Sequence, residues 1–238
     1  MLKITTLDEA IGSEQQKIVL YSDAGAGKTT AVGTLPGRKL LISAEKGAKS
    51  LGRLPKEMRD MVQVVEVRTI TGLREVYDEV KAGRVQCDWI ALDSISEIAE
   101  IALAEYKKKG VLQGRTQNMD PRAAYGAVED DIMHMLWDFQ ALPVNVLFLC
   151  KEQVKPRQIN DETTIDYYNL LMPGSTLTSR VCHLVDELWR LTVRGDKRVL
   201  IAQSDGRSRA KSRAGLPKTV DVSDGFADVI EMLTATSD

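Results

Sequence analysis

Residues 17–30, KIVLYSDAGAGKTT, constrain this chain more than any other stretch. Four apolar or β-branched positions read as a strand, the glycines as a tight turn, and Lys28-Thr29-Thr30 as the first turn of a helix. In such a strand–loop–helix the backbone N–H groups converge on one anion, and Lys28 adds a mobile positive charge. The full pattern G-x-x-x-x-G-K-[ST] carries a glycine in its first position. Here Ser22 stands there, and a small residue suffices if its φ is negative. The expected cradle is Ser22, Asp23, Ala24, Gly25, Ala26, Gly27, Lys28, Thr29 and Thr30, with a nucleoside triphosphate as the leading ligand. The competing reading is a glycine-rich turn that binds nothing.

The rest of the chain bounds the class. Its 238 residues are read as one domain, with an N-terminal segment 1–16, a core 17–205, and a basic loop with a C-terminal helix over 206–238. Apolar residues make up 43%, enough for a full core. No apolar run reaches the length of a membrane span, and the N-terminus lacks the apolar stretch of a signal peptide. A cytoplasmic protein is expected. Cys87, Cys150 and Cys182 are scattered and odd in number, which disfavours a disulfide frame or zinc site. The net charge of −2 means that any nucleic-acid contact must come from local patches.

Strands are expected at Ile18–Tyr21, Lys39–Ser43, Val62–Val67, Trp89–Asp93 and Val144–Cys150, all rich in Val, Ile and Leu as buried parallel strands are. Helices are expected at Lys28–Leu35, Gly72–Ala82, Ser94–Lys108 and Pro121–Leu142. This alternation predicts an α/β domain with a mostly parallel sheet between helices. Lys151–Ser175 is polar, holds Pro156 and Pro173-Gly174, and reads as a long loop. Leu184–Val193 and Arg198–Ala202 flank Arg194-Gly195-Asp196-Lys197, an antiparallel hairpin signal. A helix at Phe226–Leu233 closes the chain.

Three strand ends carry chemistry. Trp89-Ile90-Ala91-Leu92-Asp93 is an apolar strand ending in an acid, suited to hold Mg2+ with Thr29 beside the phosphates. Leu40-Leu41-Ile42-Ser43-Ala44-Glu45 places Glu45 at the same edge, where a carboxylate can activate water. Val146–Gln153 ends in a polar cluster, with Lys151 the first choice for a γ-phosphate sensor and Glu152 the second. The expected catalytic set is Lys28, Glu45, Asp93 and Lys151, with ATP and Mg2+ as cofactors.

This combination resembles the RecA-fold P-loop ATPase core over roughly residues 15–205. LLISAEKG is similar to the strand bearing the catalytic glutamate, IALDSIS to the segment with Asp followed by Ser, and LFLCKEQ to the sensor strand. More closely, the chain resembles the phage-encoded RecA-like ATPases of the Sak single-strand-annealing group (the AAA_24-type domain). The carriers are the P-loop, AYGAVEDDIMHML, PVNVLFLCKE, Pro173-Gly174 followed by LVDELWRL, and RAKSRAGLPK. Two positions depart: Ser22, and Cys150-Lys151-Glu152 where a histidine is common in that group.

The resemblance implies a shortened RecA core acting in phage recombination or annealing, as a ring or filament, with single-stranded DNA and a single-strand-binding protein. It places DNA-facing loops at Lys107–Pro121 and Lys151–Leu171, with Lys107, Lys108, Lys109, Arg115, Lys155 and Arg157 as contacts. Arg209, Lys211 and Arg213 become candidates for reaching a neighbour's nucleotide. Two alternatives stay open: a small-molecule kinase with the segment from Arg207 to Arg213 as lid, and a nucleotide-switched loader without DNA stimulation.

Overall fold

The computed structural model describes residue 6 and residues 15–109 and 121–235. The expected Arg115 and most of the 1–16 segment lie outside the described residues, and the side chain of Lys109 is likewise not described.

Ten strands form one mixed sheet: β1 (Lys17–Ser22), β2 (Lys39–Ser43), β3 (Val62–Glu66), β4 (Trp89–Asp93), β5 (Asn145–Gln158), β6 (Thr164–Leu170), β7 (Glu187–Arg194), β8 (Lys197–Ile201), β9 (Lys211–Ser212) and β10 (Thr219–Asp221). The order is β3-β2-β4-β5-β1-β7-β8-β10, with β6 on β5 and β9 on β7. The six strands from β3 to β7 pair in parallel. β8, β10, β6 and β9 add antiparallel edges. Strand β5 lies between β1 and β4, so the P-loop and Asp93 face one another across the end of one intervening strand. This is the RecA-like α/β core, with the expected antiparallel hairpin at its C-terminal side.

Helices α1 (Lys28–Gly33), α2 (Lys56–Asp60), α3 (Ile70–Lys81), α4 (Ile95–Lys109), α5 (Pro121–Gln140), α6 (Ser175–Leu184) and α7 (Ala227–Ala235) surround the sheet, and a 3-10 helix spans Gly47–Arg53. Alternation along β1 splits the core. Val19 and Tyr21 join the layer with Leu73, Ile98, Ile132 and Val181, while Ile18 and Leu20 join the layer with Val32, Leu51, Trp189 and Ile230. Covering both faces explains why the central strands read as unbroken apolar runs. At the opposite end of the sheet from the P-loop, Lys17 donates from Nζ to the carbonyls of Leu142 and Val144, at 2.9 and 2.6 Å. Burial there pulls its pKa down to about 8.

The structure corrects one expectation. Lys151–Ser175 is not a loop. β5 runs on to Gln158, turns, and returns as β6, and α6 begins at Ser175. Beyond the main sheet β5 pairs with β6, Pro156 opposite Asp166, and a strand position free of a second partner tolerates a residue without N–H. The hairpin is anchored at its base. The Tyr168 N–H donates to the Arg207 carbonyl, the Arg209 N–H to the Tyr168 carbonyl, and the Tyr21 hydroxyl to the carbonyls of Tyr168 and Arg209. The basic loop 207–218 is likewise partly ordered, as strand β9 against β7.

Candidate active site

The P-loop leaves β1 at Ser22 and enters α1 at Lys28. Gly25 and Gly27 take φ of 78° and 109°, the left-handed region that favours glycine. Lys46 is the one non-glycine residue with positive φ among the described residues, so Ser22 fills the first loop position without strain. Its hydroxyl donates to the Asp23 carbonyl at 2.9 Å. Lys28 folds back over the loop, donating from Nζ to the Ser22 carbonyl (2.9 Å), the Ser22 hydroxyl (3.0 Å) and the Asp23 carbonyl (3.1 Å). Burial lowers its pKa, opposed by the charges of Asp93 and Glu45. A cation held by neutral carbonyls in a partly buried cradle is suited to an incoming polyphosphate.

Across the end of β5, Asp93 is 2% exposed and accepts a hydrogen bond from the Thr29 hydroxyl at 2.7 Å. Burial raises its pKa; the Thr29 hydrogen bond opposes this, and nearby Glu45 adds to it. A desolvated carboxylate and a hydroxyl at this spacing, beside a phosphate cradle, are hard oxygen donors of the kind magnesium takes together with phosphate oxygens. Gly47 opens the space. A Cβ there would stand 3.1 Å from both Asp93 Oδ2 and Thr29 Oγ1.

Glu45 follows β2 and accepts a short hydrogen bond from the Ser94 hydroxyl. Lys151 Nζ lies 3.7 Å from Glu45 Oε1 and is hydrogen-bonded to Glu97. Burial pulls the Lys151 pKa down, but the Glu97 hydrogen bond and the Glu45 charge outweigh it and the net shift is upward. The Lys151 backbone N–H donates to the Ser96 hydroxyl at 2.9 Å. Successive residues of a strand face opposite ways, and Glu152 therefore points away from Glu45. It binds Arg190 instead, at 2.7 and 3.1 Å.

The structure thus brings together Lys28, Thr29, Asp93, Glu45 and Lys151. The remaining sequence candidates lie elsewhere. Lys211 donates to the carbonyls of Cys182 and Val185, and Arg213 pairs with Asp186. Lys107 stacks on Tyr125, 5.2 Å from its ring centre, and Lys108 is exposed on α4. Lys155 and Arg157 project from the same face of the β5–β6 hairpin, where Arg157 covers the Tyr167 ring at 4.9 Å. Five residues that line the P-loop cleft escaped the sequence reading: Gly47, Lys49, Ser50 and Arg53 on the 3-10 helix, and Arg198 on β8. The unusual EKG step after β2 is the sequence signal for Gly47; Arg198 carries none, because its place depends on the hairpin folding over the loop.

A family model of the AAA domain matches residues 14–214. The chain belongs to the AAA_24 family of AAA domains. With the P-loop, buried Asp93 and Glu45 in one cleft, this AAA domain is a nucleotide-binding P-loop ATPase. No curated protein matches it. Among solved structures it is similar to a prototypical ATPase from the type III secretion system of pathogenic bacteria, at 15% identity and a TM-score of 0.47. That match covers 77% of this chain and 54% of the other, so the AAA domain spans about half of that ATPase's length. Among the described residues, no helix is long and apolar enough to cross a membrane.

Proposed function

We propose that this AAA domain is a RecA-like motor of the Sak type, whose ATP hydrolysis is stimulated by single-stranded DNA during phage recombination or annealing. One observation carries the reading. Strand β5 runs unbroken from the sheet centre through Lys151, beside Glu45, to Lys155 and Arg157 on the projecting hairpin. A ligand gripping the hairpin therefore acts on the same strand that holds the lysine next to the catalytic carboxylate.

In this mechanism Lys28 leaves the Ser22 and Asp23 carbonyls for the β- and γ-phosphates of ATP. Thr29 and Asp93 would hold Mg2+, which would supply positive charge against that developing on the phosphates. Glu45 accepts the proton of the attacking water. Lys151 restrains Glu45 until the hairpin engages DNA. Lys155, Arg157, Lys107 and Lys108 supply sequence-independent phosphate contacts, and Tyr167 a ring on which a base can stack. Arg209, Arg213 or Lys211 of a second copy completes the site in a ring or filament, working beside a single-strand-binding protein in the host cytoplasm. Lys211 must first leave the carbonyls of Cys182 and Val185.

The hairpin contacts are tested by the K155A/R157A double variant, with binding of a labelled oligonucleotide followed by fluorescence anisotropy across salt concentrations. Two lost phosphate contacts should weaken binding and make the slope of log K against log salt shallower by about 1.4. An unchanged slope with unchanged thermal melting would remove the hairpin from the DNA path.

A further inference from the structure

Helix α4 brings a glutamate to the site that no step of the mechanism uses. Ser94 stands immediately before α4, and its hydroxyl accepts from the Glu97 N–H at 3.2 Å. That is the N-cap contact of the pattern S-x-x-E, whose glutamate side chain commonly reaches back to the N-cap N–H. Here one Glu97 carboxylate oxygen reaches across to β5 and takes the Lys151 ammonium. Glu97 lies in the first turn of α4, where the helix dipole favours a negative side chain.

The same ammonium stands between two carboxylates. It is hydrogen-bonded to Glu97 and lies 3.7 Å from Glu45 Oε1, an ion pair too long for a hydrogen bond. The backbone of Lys151 is pinned on both sides. Its N–H donates to the Ser96 hydroxyl, and its carbonyl accepts from the Leu171 N–H at 2.7 Å. The side-chain torsions therefore decide which carboxylate the ammonium meets, and a lysine stem with three donors is suited to that choice.

The choice matters for the base. Glu45 already accepts from the Ser94 hydroxyl. A further, charge-assisted hydrogen bond from Lys151 would occupy another lone pair and stabilise the carboxylate charge. A carboxylate held in that way is a poorer acceptor for a water proton.

We propose that Glu97 is a positioning residue for hydrolysis, which holds the Lys151 ammonium off Glu45 and so leaves that carboxylate open to the attacking water. The inference rests on Glu45 acting as the base of this ATPase and adds the residue that regulates it. With the Glu97 charge removed, the ammonium turns to the other carboxylate within its reach.

The test measures kcat and KM for ATP in the native protein, E97Q, K151M and E97Q/K151M. Glutamine keeps the size of Glu97 and the N–H that caps α4, and removes the charge. E97Q should lower kcat about tenfold and leave KM within about twofold, because the phosphate cradle is untouched. In the K151M background the same substitution should change kcat by less than about twofold, since no ammonium remains to be released. E100Q is the control. Glu100 is exposed one turn along α4, its charge also acts on Lys151, and its loss should leave kcat within about twofold of native.

An equal loss from E97Q with and without Lys151 would reduce Glu97 to a structural role and overturn the inference. So would an unchanged kcat in E97Q, or the same loss in E100Q. A K151M protein without turnover would put the ammonium in the chemistry itself and overturn it too. In all these cases turnover by the native protein leaves the ATPase reading standing. A native protein that binds ATP and never turns it over would take that reading down as well.

Discussion

The E45Q variant should bind ATP as tightly as the native protein and turn it over at least about a hundredfold more slowly. Glutamine keeps the volume of Glu45 and a carbonyl oxygen for the Ser94 hydroxyl, so the local fold survives. It lacks the basicity to take a proton from water. The phosphate cradle and the Thr29–Asp93 pair are untouched, which is why affinity should persist while kcat falls. Equilibrium binding of a fluorescent nucleotide and single-turnover hydrolysis separate the two effects. Near-native turnover would remove Glu45 from the mechanism.

The E152A variant should lose about 3–5 kcal/mol of stability, measured by urea unfolding. The Glu152 and Arg190 side chains are only 5% and 12% exposed, and they meet through two hydrogen bonds. Arg190 also lies over the Tyr168 ring, 3.5 Å from its centre, and donates to the Ser208 hydroxyl at 3.3 Å. Removing the carboxylate strands a guanidinium that cannot deprotonate in a poorly hydrated place between β5, β6 and β7. The paired variant E152L/R190M removes both charges and should recover most of the loss. A cost below about 1 kcal/mol for E152A would mean that water already solvates the pair.

Much of the fold is legible in the sequence because the central strands are buried on both faces. Lys39–Ser43 and Trp89–Asp93 match their expected limits to the residue, since each reads as a short run buried throughout a parallel sheet. The β5–β6 hairpin was hidden for the converse reason. Once β5 leaves the sheet its residues are polar or exposed, and Pro156 reads as a breaker although that edge tolerates it. Helix α6 was hidden by its β-branched and hydroxyl residues, which have modest helix propensity; its apolar face packs Leu177, Val181 and Cys182 into the core.

The site divides the same way. Lys28, Thr29, Asp93 and Glu45 follow from strand ends, because parallel strands deliver their last residues to one edge. The choice between Lys151 and Glu152 follows from strand alternation only once β5 is known to continue past Cys150. Arg198 depends on which distant segment closes over the loop, and no local pattern encodes that.

Steady-state ATP hydrolysis, measured with and without single-stranded DNA across a range of protein concentrations, tests the central claim most directly. The account predicts slow turnover for the dilute protein alone. It predicts a steep rise with DNA and with concentration together, as hairpins engage and neighbouring copies supply their basic residues. Turnover indifferent to DNA at every concentration would contradict it.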